Sequence, residues 1–142
     1  MSDEIISFSV EDIDFALEQK NDVKEWLMQI ASTEQKEITQ IDYLFCSDEY
    51  LLEINKTYLN HDYYTDIITF PLDRNNIEAN VFISIDRVKE NAQLYNQNFT
   101  DELHRVIVHG LLHLIGYNDK TPEDEKAMRK KEDDCLALRQ FV

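Results

Sequence analysis

Glycine and proline number only two each among 142 residues. That scarcity excludes a collagenous segment, a low-complexity arm and a flexible Gly/Ser linker. No apolar run approaches the roughly 20 residues needed to span a bilayer. The opening Met1-Ser2-Asp3-Glu4 is acidic where a secretory signal is basic, so a cytoplasmic location is expected. Cysteine is limited to Cys46 and Cys135, in unrelated contexts and with no C-x-x-C pair. A chain of this length builds its core without a disulfide staple. Cys46, beside Phe45 in an apolar run, reads as a buried thiol, although a bridge to Cys135 stays open. Positive charge is also short: 14 Lys and Arg against 29 Asp and Glu give a net charge of −15. A chain-wide basic surface is therefore excluded, and neither DNA nor a membrane is an expected partner. A local pocket where metal ions and a few cations meet a phosphate is not excluded.

Hydrophobic residues make up 43% of the chain, enough for a real core within one domain spanning residues 1–142. Ile5–Val10 partly alternates and predicts a first strand. Val23, Trp26, Leu27 and Ile30 recur at helical spacing, predicting a helix over roughly 19–33. A strand around 37–45 follows, then a helix capped by Ser47 that runs to about 59. Asp66–Phe70, ended by Pro71, and Ala79–Ile85 read as two further strands. Their connection of about six residues permits a hairpin, so one pair should be antiparallel. Asp86 is the expected cap of a helix to about Gln97, and Thr100 of another ended by Gly116. Thr121-Pro122-Glu123-Asp124 opens a last helix over about 122–138. The expected class is α+β: one mixed four-stranded sheet packed with helices, the helix near 101–115 buried and central.

The chemistry lies in His109-Gly110-Leu111-Leu112-His113-Leu114-Ile115-Gly116-Tyr117-Asn118-Asp119. Histidines four apart share one helix face, so both imidazoles can reach one ion. Gly116 lets the chain turn out of the helix, and Asp119 follows three residues later as a candidate third ligand. Two histidines and a carboxylate around an ion leave a position open for the water of a hydrolysis. The surrounding Val106, Ile107, Val108, Leu111 and Leu112 make the helix apolar nearly all round. Imidazoles buried there need a metal or hydrogen-bond partners. Zn²⁺ is the expected ion, with another divalent transition metal as the alternative. Position 110 is glycine where zinc peptidases carry their glutamate base, which argues against peptide hydrolysis and favours a phosphodiester.

Two blocks resemble the YbeY endoribonuclease family of bacterial rRNA maturation factors. The first is the histidine segment, similar to the family's H-G-x-L-H-L-x-G-Y-D-H. The second is Asn55, Tyr58, Asp62, Thr65, Asp66, Phe70 and Pro71, similar to N-x-x-Y-R-x-K-D-x-P-T-D-V-L-S-F-P. The resemblance implies a metal-dependent, single-strand-specific endoribonuclease acting in 16S rRNA 3′-end maturation and ribosome quality control. It implies single-stranded rRNA and the small ribosomal subunit as partners. Its ligand positions fall on His109, His113 and Asp119, the last being histidine in the family. The family arginine falls on Leu59 and the lysine on His61; its Gly-Asp before the fourth strand is Ala79-Asn80. Leucine cannot hold a phosphate, so His61 or Lys56 becomes the candidate replacement, and Asp66 the candidate for positioning the attacking group. The same departure motivates an alternative: a non-catalytic ribosome-assembly or adaptor protein with a structural metal. Tyr58, Tyr63, Tyr64 and Tyr117 are stacking candidates against a packing role. Lys126, Arg129, Lys130 and Lys131, on a helix alongside Glu125, Glu132, Asp133 and Asp134, read as surface salt bridging. His104 carries no assignment.

Overall fold

The computed structural model describes residues 5–73 and 75–142. Four strands, β1 (Ile6–Val10), β2 (Ile38–Cys46), β3 (Ile67–Pro71) and β4 (Ile77–Ser84), form one sheet in the order β1-β2-β4-β3. β1 and β4 each pair in parallel with β2, while β3 closes an antiparallel hairpin onto β4. Parallel neighbours need crossovers, and helices α1 (Lys20–Thr33) and α2 (Asp48–Leu59) lie in them. Three more helices complete the chain: α3 (Ile85–Leu94), α4 (Phe99–Ile115) and α5 (Pro122–Ala137). The fold is therefore the α+β arrangement expected, a mixed sheet with helices packed on it.

The two sheet faces are unequal. Ile41, Tyr43 and Phe45 on β2 and Ala79, Val81 and Ile83 on β4 join one large core with α1, α3, α4 and α5. The opposite face carries a smaller cluster in which Leu44, Phe70 and Phe82 pack with Leu51 and Ile54 of α2. Period-two alternation along β2 and β4 sends successive residues to these two layers. α4 lies deepest, with Leu103, Val106, Ile107, Val108, Leu111 and Leu112 all buried. Its backbone is tied to the sheet by the Tyr43 hydroxyl, which donates to the Ile107 carbonyl at 3.0 Å. Cys46 and Cys135 are both buried and unbridged. Burial pushes the Cys46 thiol up to about 12, so it stays protonated and inert.

Gly110 explains how α4 comes so close to the sheet. A Cβ there would stand 3.0 Å from Ile67 Cδ1 and 3.4 Å from Val81 Cγ1. The residue that excludes a glutamate base at position 110 is thus a contact point between helix and hairpin. A side chain at 110 would point into the sheet.

Two caps differ from expectation. α3 is capped by Ser84, whose hydroxyl accepts from the Arg87 N–H at 3.1 Å, rather than by Asp86. Asp86 instead accepts from the Asp48 N–H at 3.0 Å, serving the first turn of α2. α4 begins one residue before Thr100, capped by Asn98, which accepts from the Asp101 N–H at 2.7 Å. Phe99, in the first turn of α4, packs edge-on against Phe15. Ser47 and Thr121 cap α2 and α5 as expected. β4 begins two residues before the expected Ala79 and ends at Ser84, with Ile85 opening α3; Ala79 and Asn80, the positions of the family Gly-Asp, therefore lie inside the strand, Ala79 buried in the core.

Candidate metal centre

α4 presents His109 and His113 one turn apart, their rings 4.6 Å between centroids and nearly perpendicular. At its end the Gly116 N–H donates to the Leu112 and His113 carbonyls, and the Tyr117 N–H to Leu112. This six-to-one closure needs a residue at positive φ, and Gly116 sits at φ 128°. The chain then doubles back and delivers Asp119. Its Oδ2 lies 3.4 Å from His109 Nε2 and 3.3 Å from His113 Nε2. All three donor atoms fall within 4.8 Å of one another. A tetrahedral shell with bonds of about 2.0–2.1 Å has edges of about 3.3 Å between neighbouring ligands. The donor set therefore fits a single transition-metal ion in both chemistry and spacing.

One member of this centre escaped the sequence reading. Glu132 of α5, expected on a salt-bridged surface, is buried, and its Oε2 lies 2.6 Å from His109 Nδ1. Its other oxygen accepts from Arg105 Nη1 at 2.9 Å, and Arg105 Nη2 reaches Asp133 at 2.7 Å. A carboxylate on Nδ1 places the imidazole proton there and leaves the Nε2 lone pair facing Asp119. Burial pulls the His109 pKa down, but the hydrogen bond and charge of Glu132, with Asp119 and Asp66, more than offset it, and the net shift is upward. Elsewhere in the α5 group Lys130 pairs with Asp134 as expected, whereas Lys131 reaches Glu34 at the end of α1 and Asp133 pairs with Arg105 of α4. No local pattern distinguishes Glu132 from its acidic neighbours. Only the packing of α5 against α4 does.

The triad opens into a cleft of about 850 Å³ that also holds Asp66, His61, Tyr63 and Leu59. Asp66 stands at the start of the hairpin. Burial raises its carboxyl pKa, with the nearby His109 pulling it the other way. His61 is in the same cleft but makes no bond to the triad; its Nδ1 lies 2.9 Å from the Tyr63 hydroxyl. Lys56 is held by Glu53 and Asp62, each at 3.7 Å, and does not line the cleft. Tyr117 is used structurally, donating to Glu34 at 3.0 Å. His104 is also structural. It is buried between Trp26 and Phe141, and Arg139 donates to its Nδ1 at 2.7 Å.

The family model for "Endoribonuclease YbeY" matches residues 5–140. The chain belongs to the YbeY family. Among its YbeY-family relatives, the endoribonuclease YbeY of Cytophaga hutchinsonii is 52% identical over 143 residues, 99% of this chain and all of that protein. The endoribonuclease YbeY of Bacteroides fragilis is 44% identical, covering 94% of this chain and 97% of its own. The fold is shared with the solution structure of TM1509 from Thermotoga maritima, at a TM-score of 0.67 and 28% identity over 92% of this chain and 86% of that one. Among the described residues, no helix of this YbeY-family chain is long and apolar enough to cross a membrane.

Proposed function

We propose that this chain is a single-domain, zinc-dependent endoribonuclease that cuts single-stranded rRNA at the 3′ end of 16S rRNA, working in the cytoplasm on the small ribosomal subunit. The observation that carries the reading is the His109–His113–Asp119 triad, spaced for one ion and opening into a cleft in a YbeY-family chain. A zinc ion held there supplies Lewis acidity toward a phosphodiester oxygen and a lowered pKa for water. The protein's own groups do the rest. Glu132 keeps the His109 proton on Nδ1 and its Nε2 lone pair free. Asp66, with its raised pKa, stands in the cleft to position the attacking group. His61, two residues from the family arginine position at Leu59, lines the same cleft and donates to a phosphate oxygen.

The −15 charge favours recognition by docking on the ribosome over tight binding of bare RNA. Leu59 keeps a second reading alive, a ribosome-assembly factor whose metal is structural, because no arginine stands at that cleft position. Cleavage of a precursor 16S 3′ fragment, alone and within small-subunit particles, separates the two. Asp119→Ala should lose zinc and cleavage together, whereas Asp119→His should keep both, since histidine supplies an equivalent ligand. Equal silence of the native chain and Asp119→Ala in both settings would establish the assembly-factor reading.

A further inference from the structure

The first half of the loop between α2 and β3 is tied at two points to one buried residue. Asn55 on α2 is 1% exposed. Its backbone carbonyl accepts from the His61 N–H at 3.1 Å, and its side-chain amide donates to the Tyr63 carbonyl at 2.9 Å. Just before them Asn60, the C-cap of α2, turns the chain at φ 57°. This bracket holds the His61 and Tyr63 rings stacked, 5.1 Å between centroids and 19° from parallel. The Tyr63 hydroxyl meets His61 Nδ1 at 2.9 Å, and both residues line the cleft beside the triad.

We propose that Tyr63 is a positioning residue whose hydroxyl locks His61 in the tautomer that carries its proton on Nε2, ready to donate to a phosphate oxygen of a single strand in the cleft. The proposal rests on the ribonuclease reading above. A phenol is a stronger acid than a neutral imidazole N–H, so the favoured bond runs from the tyrosine O–H to the Nδ1 lone pair. With Nδ1 occupied, the ring proton resides on Nε2, and the imidazole offers a donor rather than a bare lone pair. A phosphodiester oxygen only accepts, so this tautomer binds it and the other does not. The stacked phenol also limits rotation of the ring. Leu59 supplies no cation at the family arginine position; among the described residues Lys36 also lines this cleft, and His61 with Tyr63 is the paired donor on its α2–β3 loop.

The test uses the full chain labelled with ¹⁵N-histidine and loaded with zinc. The chain has four histidines, and the His61→Ala spectrum assigns the ring in question. The native chain should show His61 with Nε2 protonated. Addition of a 2′-O-methylated single-stranded oligoribonucleotide, which binds without being cut, should shift that signal. Tyr63→Phe, which keeps the stacked ring, should give a mixture of tautomers and weaken oligonucleotide binding by about fivefold, one hydrogen bond's worth. Tyr63→Phe should cost nothing further in a His61→Ala background. An unprotonated Nε2 in the native chain, an unchanged tautomer in Tyr63→Phe, no shift with oligonucleotide, or additive losses would each overturn the proposal. Cleavage is scored separately on unmodified RNA. A chain that shows the shift but cuts nothing keeps this inference and refutes the nuclease reading.

Discussion

Replacing Glu132 tests how much of the candidate metal centre is built outside its three proposed ligands. The carboxylate is 6% exposed at the side chain and serves two partners, His109 at 2.6 Å and Arg105 at 2.9 Å. Glu132→Gln can still accept from His109 but loses the ion pair, and zinc affinity should fall about tenfold. Glu132→Ala leaves the His109 ring free to rotate, and the loss should approach 100-fold. The alanine variant also leaves Arg105 with Asp133 alone, so folding stability should drop by about 3 kcal/mol, the scale for breaking a buried pair. The effect on zinc has a pH signature. The metal-free native chain holds a proton on His109 more tightly than an ordinary histidine does. Below that raised value its zinc affinity falls by about tenfold per pH unit, because binding must expel the proton. Without Glu132 the proton is held less tightly, so the gap between native and variant should be widest at alkaline pH and narrow in acid. Competition against a chromophoric chelator from pH 6 to 8.5, with urea unfolding alongside, measures both. Zinc binding by Glu132→Ala within twofold of the native chain at pH 8 would refute the reasoning.

Leu59 is 40% exposed and lines the cleft, so on the proposed ribonuclease reading Leu59→Arg should bring a guanidinium to a bound phosphate and raise kcat on single-stranded RNA by at least about tenfold; an unchanged kcat would count against the phosphate position. His104 is pushed down from 6.5 to about 4 by burial, with Arg139 adding to the effect. The unfolded chain therefore takes this proton first, and the stability His104 gives above pH 6.5 is lost as pH falls toward 4, by roughly 3 kcal/mol. Urea unfolding at both ends of that window should show the loss shrink in His104→Phe. Gly110→Glu should fail to give a folded zinc centre rather than restore a peptidase base, because its side chain meets Ile67 and Val81. Circular dichroism and zinc stoichiometry check it.

Element order and the convergence of His109, His113 and Asp119 were readable along the chain because both rest on local periodicity. His109 and His113 meet through one helical turn, and Gly116 with Asp119 acts through one tight reversal. The antiparallel hairpin of β3 and β4 was likewise set by a short connection. The caps at Ser84 and Asn98 were missed by two residues each, since each competes with a neighbouring acceptor and packing chooses between them. Glu132 was hidden for a deeper reason. On α5 it is one acid among several, and it becomes the partner of His109 only when α5 is laid against α4, 23 residues away in sequence. The use of Asn55 to hold His61 and Tyr63 depends in the same way on how α2 meets the loop that follows it. Gly110 shows the remaining case. Its residue type was plain, but that it serves the contact between α4 and the hairpin follows from a distance between elements, which no run of residues records.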